Sequence, residues 1–379
     1  MNRGLCFVVL CAALSVGTRG AGYEDAVTPT ALWSSDVTPD LKNVGRNPPG
    51  VAFLDDERLI VHYVSLDTSQ LSSRPSPDSS SPFRLHISVI NSASGKITSD
   101  KEWGTRVRDT TVLVTSGGVI IRTGELLRLY SKDFSELRRI PISQVPDEGW
   151  EIRISPTRKT VLLNHYHISR QDGLSVSHFE VLDGDTLKSK LSWAQSPGII
   201  NNYAITDGAI AAARYENGHG TVIATGFGSA VWKPLFEVPQ GACKPGRSAI
   251  FLTGSLLMCA FRDVVISSTN GEVLMTDPIG KNEGQSAKIE MAQNGSHAAV
   301  LLESLRDTWD TGGHIVSLHA AVYELTRRKR VMTVAASPPP KQDCDLAISP
   351  DGSKLAILSD RTLSVYRVPI STPNGGAQP

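Results

Sequence analysis

The 379-residue sequence predicts an all-β repeat fold, on three observations. A short strand–turn–strand phrase recurs along the chain, its copies are one multi-strand unit apart, and turn-forming residues are dense where helical periodicity is scarce.

The clearest copy of the phrase is Ile348-Ser349-Pro350-Asp351-Gly352-Ser353-Lys354-Leu355-Ala356-Ile357-Leu358. Looser copies are anchored at Phe53, Val114, Ile154, Ile205, Leu252 and Met291. The seven anchors are 61, 40, 51, 47, 39 and 57 residues apart, room for about four short strands each. Between them lie Asp55-Asp56, Ser116-Gly117-Gly118, Asp183-Gly184-Asp185, Asp207-Gly208, Thr253-Gly254, Asn270-Gly271, Asn294-Gly295 and Asp351-Gly352. These residue types tolerate the backbone of tight hairpins.

A second element repeats with the first. Each unit's third strand carries an apolar core: Ile87-Ser88-Val89-Ile90, Leu127-Arg128-Leu129-Tyr130, Phe179-Glu180-Val181-Leu182, Val264-Val265-Ile266, Ala321-Val322-Tyr323 and Leu363-Ser364-Val365-Tyr366. The fourth unit places its own near Val222-Ile223. Two fourth strands end in Trp103 and Trp193. Seven such units form a seven-bladed β-propeller of four-stranded antiparallel blades, one domain over residues 23–369. The last unit runs out of chain after its third strand, so the segment Thr30 to Asp36 is expected to supply the fourth and close the ring.

The Ser-Pro-Asp-Gly-Ser-Lys-Leu-Ala phrase at 349–356, its weaker copies and the count of seven resemble the bacterial WD40-like and YVTN β-propellers of the quinoprotein amine dehydrogenase-like superfamily, over about residues 30–369. The resemblance implies a fold and little about function.

The ends read differently. Arg3 followed by the apolar run Leu5 to Val16, with small-residue sites at Ser15-Val16-Gly17 and Gly20-Ala21-Gly22, predicts a signal peptide over residues 1–22. That run is too short to span a bilayer, and no later run is longer. Leu10 before Cys11 argues against a lipoprotein anchor. The mature chain is expected to be exported, to the periplasm or beyond. Residues 370–379, rich in Pro, Gly and Ala, are expected to form a disordered tail.

Lys plus Arg and Asp plus Glu number 38 each, and this balance excludes a surface built to track nucleic-acid phosphates. The run Arg327-Arg328-Lys329-Arg330 reads as a solvated turn between strands. Cys243, Cys259 and Cys344 remain after export, an odd count that is no disulfide framework. Cys259 reads as a buried small hydrophobe, while Cys243 and Cys344 each precede a unit's first strand and are open to pairing.

Strand alternation puts the connections between second and third strands on one end of the propeller, with the links between units. Three of these connections are enlarged, at 65–84, 169–174 and 304–313. The last presents Trp309 with Arg306, Asp307 and Asp310, a patch suited to a protein interface or a sugar ring, or else a decorative insertion. His165 and His167 lie two apart on a strand and face the same way, and His62 falls near the equivalent place in the first unit. These imidazoles are candidates for binding, with packed histidine as the plainer reading; His178 and His219 are candidates by type only.

No metalloprotease, nucleophile-elbow or phosphate-loop motif occurs, and Gly218-His219-Gly220 and Gly226-Phe227-Gly228-Ser229 lack a following helix. No catalytic residue, metal site or cofactor is therefore nominated. The leading expectation is an exported, non-catalytic scaffold that binds a protein or glycan through one loop-rich face. The alternative is a quinoprotein-like or lactonase-like enzyme, or enzyme subunit, with a site at the mouth of the central channel. A structural module of an envelope assembly is a third reading.

Overall fold

A computed structural model describes residues 29–38, 49–66, 82–105, 110–142, 148–168, 175–195, 203–216, 219–229, 231–238, 249–252, 256–260, 263–268, 272–278, 285–306, 314–335 and 344–369. The expected signal peptide, the tail, most of the three enlarged loops and Cys243 lie outside these residues, as do Asp307, Trp309 and Asp310.

Every described element is a strand. After β1 (Ala31–Asp36), the first sheet holds β2 (Gly50–Phe53), β3 (Arg58–Leu66), β4 (Phe83–Asn91) and β5 (Ile97–Thr105). The second holds β6 (Thr110–Val114), β7 (Gly118–Thr123), β8 (Leu126–Ser131) and β9 (Glu136–Pro141). The third holds β10 (Glu148–Ile154), β11 (Thr160–Ile168), β12 (Ser175–Asp183) and β13 (Ser189–Gln195). The fourth holds β14 (Tyr203–Ile205), β15 (Ala209–Glu216), β16 (His219–Gly226) and β17 (Lys233–Val238). The fifth holds β18 (Ala249–Leu252), β19 (Leu256–Ala260), β20 (Asp263–Ser268) and β21 (Val273–Pro278). The sixth holds β22 (Gln285–Met291), β23 (His297–Arg306), β24 (His314–Glu324) and β25 (Lys329–Ala335). The seventh holds β26 (Cys344–Ile348), β27 (Lys354–Ser359) and β28 (Thr362–Arg367), with β1 antiparallel to β28 from Ala31↔Tyr366 to Asp36↔Thr362. Among the described residues there are thus seven four-stranded antiparallel sheets, and no helix long and apolar enough to cross a membrane.

The architecture is a β-propeller. First strands approach first strands: β2 lies against β6, β10 against β14, β14 against β18, β18 against β22, β22 against β26, and β26 against β2. The first strands therefore form the inner ring. The core is a series of slabs between neighbouring sheets. Ile60 and Leu85 of the first sheet pack on Val119 and Ile121 of the second, and Leu346 and Ile348 of the seventh pack on Leu301 and Val322 of the sixth. Phe53 and Leu59 of the first sheet meet Ala356 and Val365 of the seventh. Inner and middle strands are covered on both faces, so Gly118–Ile121 of β7 and Leu355–Leu358 of β27 are buried and carry no polar side chain, whereas outer β9 (Glu136–Pro141) is almost wholly exposed. Trp33 of β1 lays its indole over Gly95, at φ +72°, and donates Nε1–H to the Ser92 carbonyl at 2.9 Å.

The repeated phrase is a turn that satisfies itself. Ser349 Oγ accepts from the Lys354 amide at 2.9 Å, Asp351 Oδ1 accepts from the Ser353 amide at 2.9 Å, and Gly352 takes φ +78°. Ser155 repeats the first bond with the Thr160 amide at 3.1 Å. In that copy Arg158 occupies the position of Gly352, with φ +63°. An arginine in this backbone region costs about 1–2 kcal/mol, so other contacts must hold it there.

Candidate functional site

At the turn end of the propeller the axis is bridged by side chains. Arg158 Nη1 donates to the Phe53 carbonyl of the first sheet at 2.7 Å, and Gln293 Nε2 of the sixth sheet donates to the Thr157 carbonyl of the third at 3.0 Å. Burial pulls the Arg158 pKa below the usual arginine range, opposed by the charges of Glu290, Asp56 and Asp55. Around them the turns are tied to one another. The Asp351 amide donates to Asp56 Oδ1 at 2.9 Å, Asn294 Nδ2 to the Asp351 carbonyl at 2.8 Å, and Thr157 Oγ1 to Asp207 at 2.8 Å.

Higher on the inner ring, charges pair with each other. Lys288 Nζ of β22 lies 2.6 Å from Asp345 Oδ1 and 3.1 Å from Glu290 Oε1, and donates to the Leu346 carbonyl at 3.1 Å. Burial alone would lower the Lys288 pKa, but the two carboxylates outweigh it and the net shift is upward. Asp345 Oδ2 accepts from the Val51 amide of the first sheet at 2.8 Å. One carboxylate thus ties the sixth, seventh and first sheets. Arg153 and Glu151 form a similar pair on β10, and the guanidinium lies 5.3 Å from the Tyr203 ring centroid on the next sheet.

His62 belongs to this inner region. It lies opposite Gly50, its ring occupying the space a side chain there would need. Burial pushes its pKa down to about 4; Asp345 opposes the shift and Lys288 adds to it. The residue in the matching position of the third sheet is Tyr166, opposite Gly149, rather than His165. The structure therefore does not group His62 with the other two candidate histidines.

His165 and His167 lie on β11 in unbroken register, on one side of the third sheet, near the 169–174 connection. His165 is on a rung with Trp150 of β10, His178 of β12 and Ala194 of β13. The Trp150 and His165 rings stack at 4.3 Å and 6°, and the His165 and His178 centroids are 6.1 Å apart. The rung lines a groove of about 400 Å3 with Leu163, Phe179, Glu180, Ser192 and Trp193. His178 and His167 are exposed. The groove offers aromatic edges, two imidazoles and a carboxylate, a mixture that suits a polar ligand with apolar faces. Among the described residues no three metal-ligating side chains converge. Of the loop patch, Arg306 ends β23, and Asp307, Trp309 and Asp310 lie outside the described residues.

One cluster escaped the sequence reading. In the first sheet Tyr63, His86 and Glu102 share a rung, with Ser65 two residues beyond Tyr63 at the start of the 67–81 connection. Ser65 Oγ lies 2.7 Å from His86 Nε2. The residues are separated by an insertion whose length hides their register.

No protein-family model matches the chain, and no curated protein matches it. Among solved structures it is similar to the C-terminal WD40 domain of Sif2, with 11% identity, a TM-score of 0.45, and 90% of this chain and 99% of that chain covered. It is also similar to a chain in the structure of a mitotic checkpoint complex, with 13% identity, a TM-score of 0.50, and 90% and 96% covered. At 13% identity the second likeness is one of fold.

Proposed function

We propose that this chain is an exported, seven-bladed β-propeller, closed by its N-terminal strand, that binds a protein or glycan through its loop-rich end without acting on it. The observation that carries the reading is an asymmetry between the two ends. One end is tied shut by Arg158, Gln293 and the turn-to-turn bonds. The other carries the enlarged connections and, beside one of them, the Trp150–His165–His178 groove. His165 and His178 are the groove's imidazoles, and His167 follows two residues beyond His165 on β11. Arg306, Asp307, Trp309 and Asp310, at and after the end of β23 in the sequence, are assigned to the same binding role. His62 helps hold the inner ring together instead.

The alternative, a quinoprotein-like or lactonase-like site at the channel mouth, draws no support from His62. That ring is packed on Gly50 beside a Lys288–Asp345 pair that neutralises itself. Equilibrium binding of the mature chain to glycan and peptide arrays tests the proposal. Saturable binding weakened at least about tenfold by His178→Ala or Trp309→Ala is expected. No bound glycan or peptide, or binding indifferent to both changes, would count against it.

A further inference from the structure

We propose that Ser65 is an activated nucleophile, with His86 as its base and Glu102 as the group that orients the base. This goes beyond the binding role above and does not depend on it.

The geometry starts from strand register. Tyr63 pairs with His86 across β3 and β4, and His86 with Glu102 across β4 and β5. Ser65 is two residues past Tyr63 and so projects from the same side of the sheet. Its Oγ is 2.7 Å from His86 Nε2. On the far side of the ring, His86 Nδ1 is 3.6 Å from Glu102 Oε2, an ion-pair distance rather than a hydrogen bond. Arg84 Nη1 holds the other carboxylate oxygen, Oε1, at 2.8 Å. Arg84 thus pins the carboxylate with Oε2 towards the imidazole. The Tyr63 ring stacks on His86 at 4.7 Å and 11°, which fixes the plane of the imidazole.

A carboxylate accepts and does not donate, so it favours the tautomer with the proton on Nδ1. Nε2 is then bare and accepts from the Ser65 hydroxyl. Burial and the Arg84 charge lower the His86 pKa, Glu102 and Asp100 raise it, and the net shift is downward. The ring is neutral near pH 7 and able to take a proton. Nucleophile, base and orienting group are thereby arranged in sequence, on strands rather than on a mobile loop.

The chemistry such a serine performs is acyl transfer, with a carboxylic ester as the simplest substrate. Ser65 Oγ bonds to the carbonyl carbon while its proton passes to His86 Nε2. The carbon–oxygen bond to the leaving group then breaks, and His86 returns the proton to the departing alkoxide. Water, deprotonated by His86, cleaves the acyl-serine and restores the hydroxyl. Arg84 and Tyr63 are positioning residues.

A fluorophosphonate probe reads the first half of this sequence. Ser65 Oγ bonds to phosphorus, fluoride leaves, and His86 takes the proton. With the full mature chain, peptide mapping is expected to place the label on Ser65, with a rate above that of exposed Ser94 by about 10²-fold or more. His86→Gln is expected to lower the Ser65 rate about 10²-fold and Glu102→Gln by less, and acid is expected to slow the wild type as His86 gains its proton. Ser65 labelling no faster than Ser94, or unchanged in a folded His86→Gln variant, would overturn the proposal. Should His86→Gln fail to fold, the wild-type profile decides, and a rate that does not fall anywhere between pH 8 and the acid unfolding of the chain would overturn it. Array binding and Ser65 labelling are separate readouts, so failure of the binding role is separately visible.

Discussion

Arg158 and Phe53 are 105 positions apart in the sequence, yet the Arg158 guanidinium donates to the Phe53 carbonyl at 2.7 Å. The bond joins the third sheet to the first across the axis, and it explains why an arginine sits at a turn position filled by Gly352 in the seventh sheet.

Two opposing effects set the outcome of changing Arg158. Arg158→Ala keeps the unfavourable φ and loses a buried charge-assisted bond, worth about 1.5–3 kcal/mol. Arg158→Gly loses the same bond and regains about 1 kcal/mol of backbone strain. Urea unfolding is expected to rank wild type above Arg158→Gly, and Arg158→Gly above Arg158→Ala. The reverse order of the two variants would show that the backbone at 158 carries no strain, and a wild type no more stable than Arg158→Gly would show that the guanidinium bond does not hold the turn.

Asp345 is expected to be among the most costly polar positions to remove. Asp345→Ala takes one partner from Lys288 and leaves the Val51 amide without its acceptor. Lys288 keeps Glu290 at 3.1 Å and is partly exposed, so the loss is dominated by the orphaned amide and the weakened pair and costs about 1–3 kcal/mol. A chemical-denaturation midpoint indistinguishable from wild type would mean that water replaces both contacts.

His62 makes stability pH-dependent. Its folded pKa is pushed down to about 4 from an ordinary value of 6.5, so between these values the unfolded chain binds more protons than the folded one. Stability therefore falls as pH drops from about 6.5 to about 4, by up to about 3 kcal/mol. His62→Gln is expected to flatten that part of the curve in melting experiments from pH 4 to 8. An unchanged slope would assign it to other groups.

The fold is largely legible in the sequence because its turns are encoded locally. Ser349, Asp351 and Gly352 satisfy one another within six residues, so the phrase carries its own structure and marks each unit. Apolar cores of the third strands are legible for the same reason: slabs between sheets demand them. The copy at 155–160 is harder to see, because Arg158 replaces the glycine for a reason that lies in Phe53. The candidate sites are legible only in part. Period-two spacing puts His165 and His167 on one side of a strand, but the rung through Trp150 and His178 depends on pairing across neighbouring connections. His62 aligns with Tyr166, since a glycine on the paired strand, not sequence spacing, sets the match. Ser65 and His86 meet across an insertion, and nothing local to either residue signals the other.

Amide hydrogen exchange with the tightest ligand from the glycan and peptide arrays tests most directly whether the loop-rich end is the working surface. Ligand-induced protection is expected in Trp150–Glu151, His165–Ile168 and Val176–His178, with none in the turns at 155–159 and 349–354. Protection confined to those turns, with the groove strands unchanged, would contradict the account.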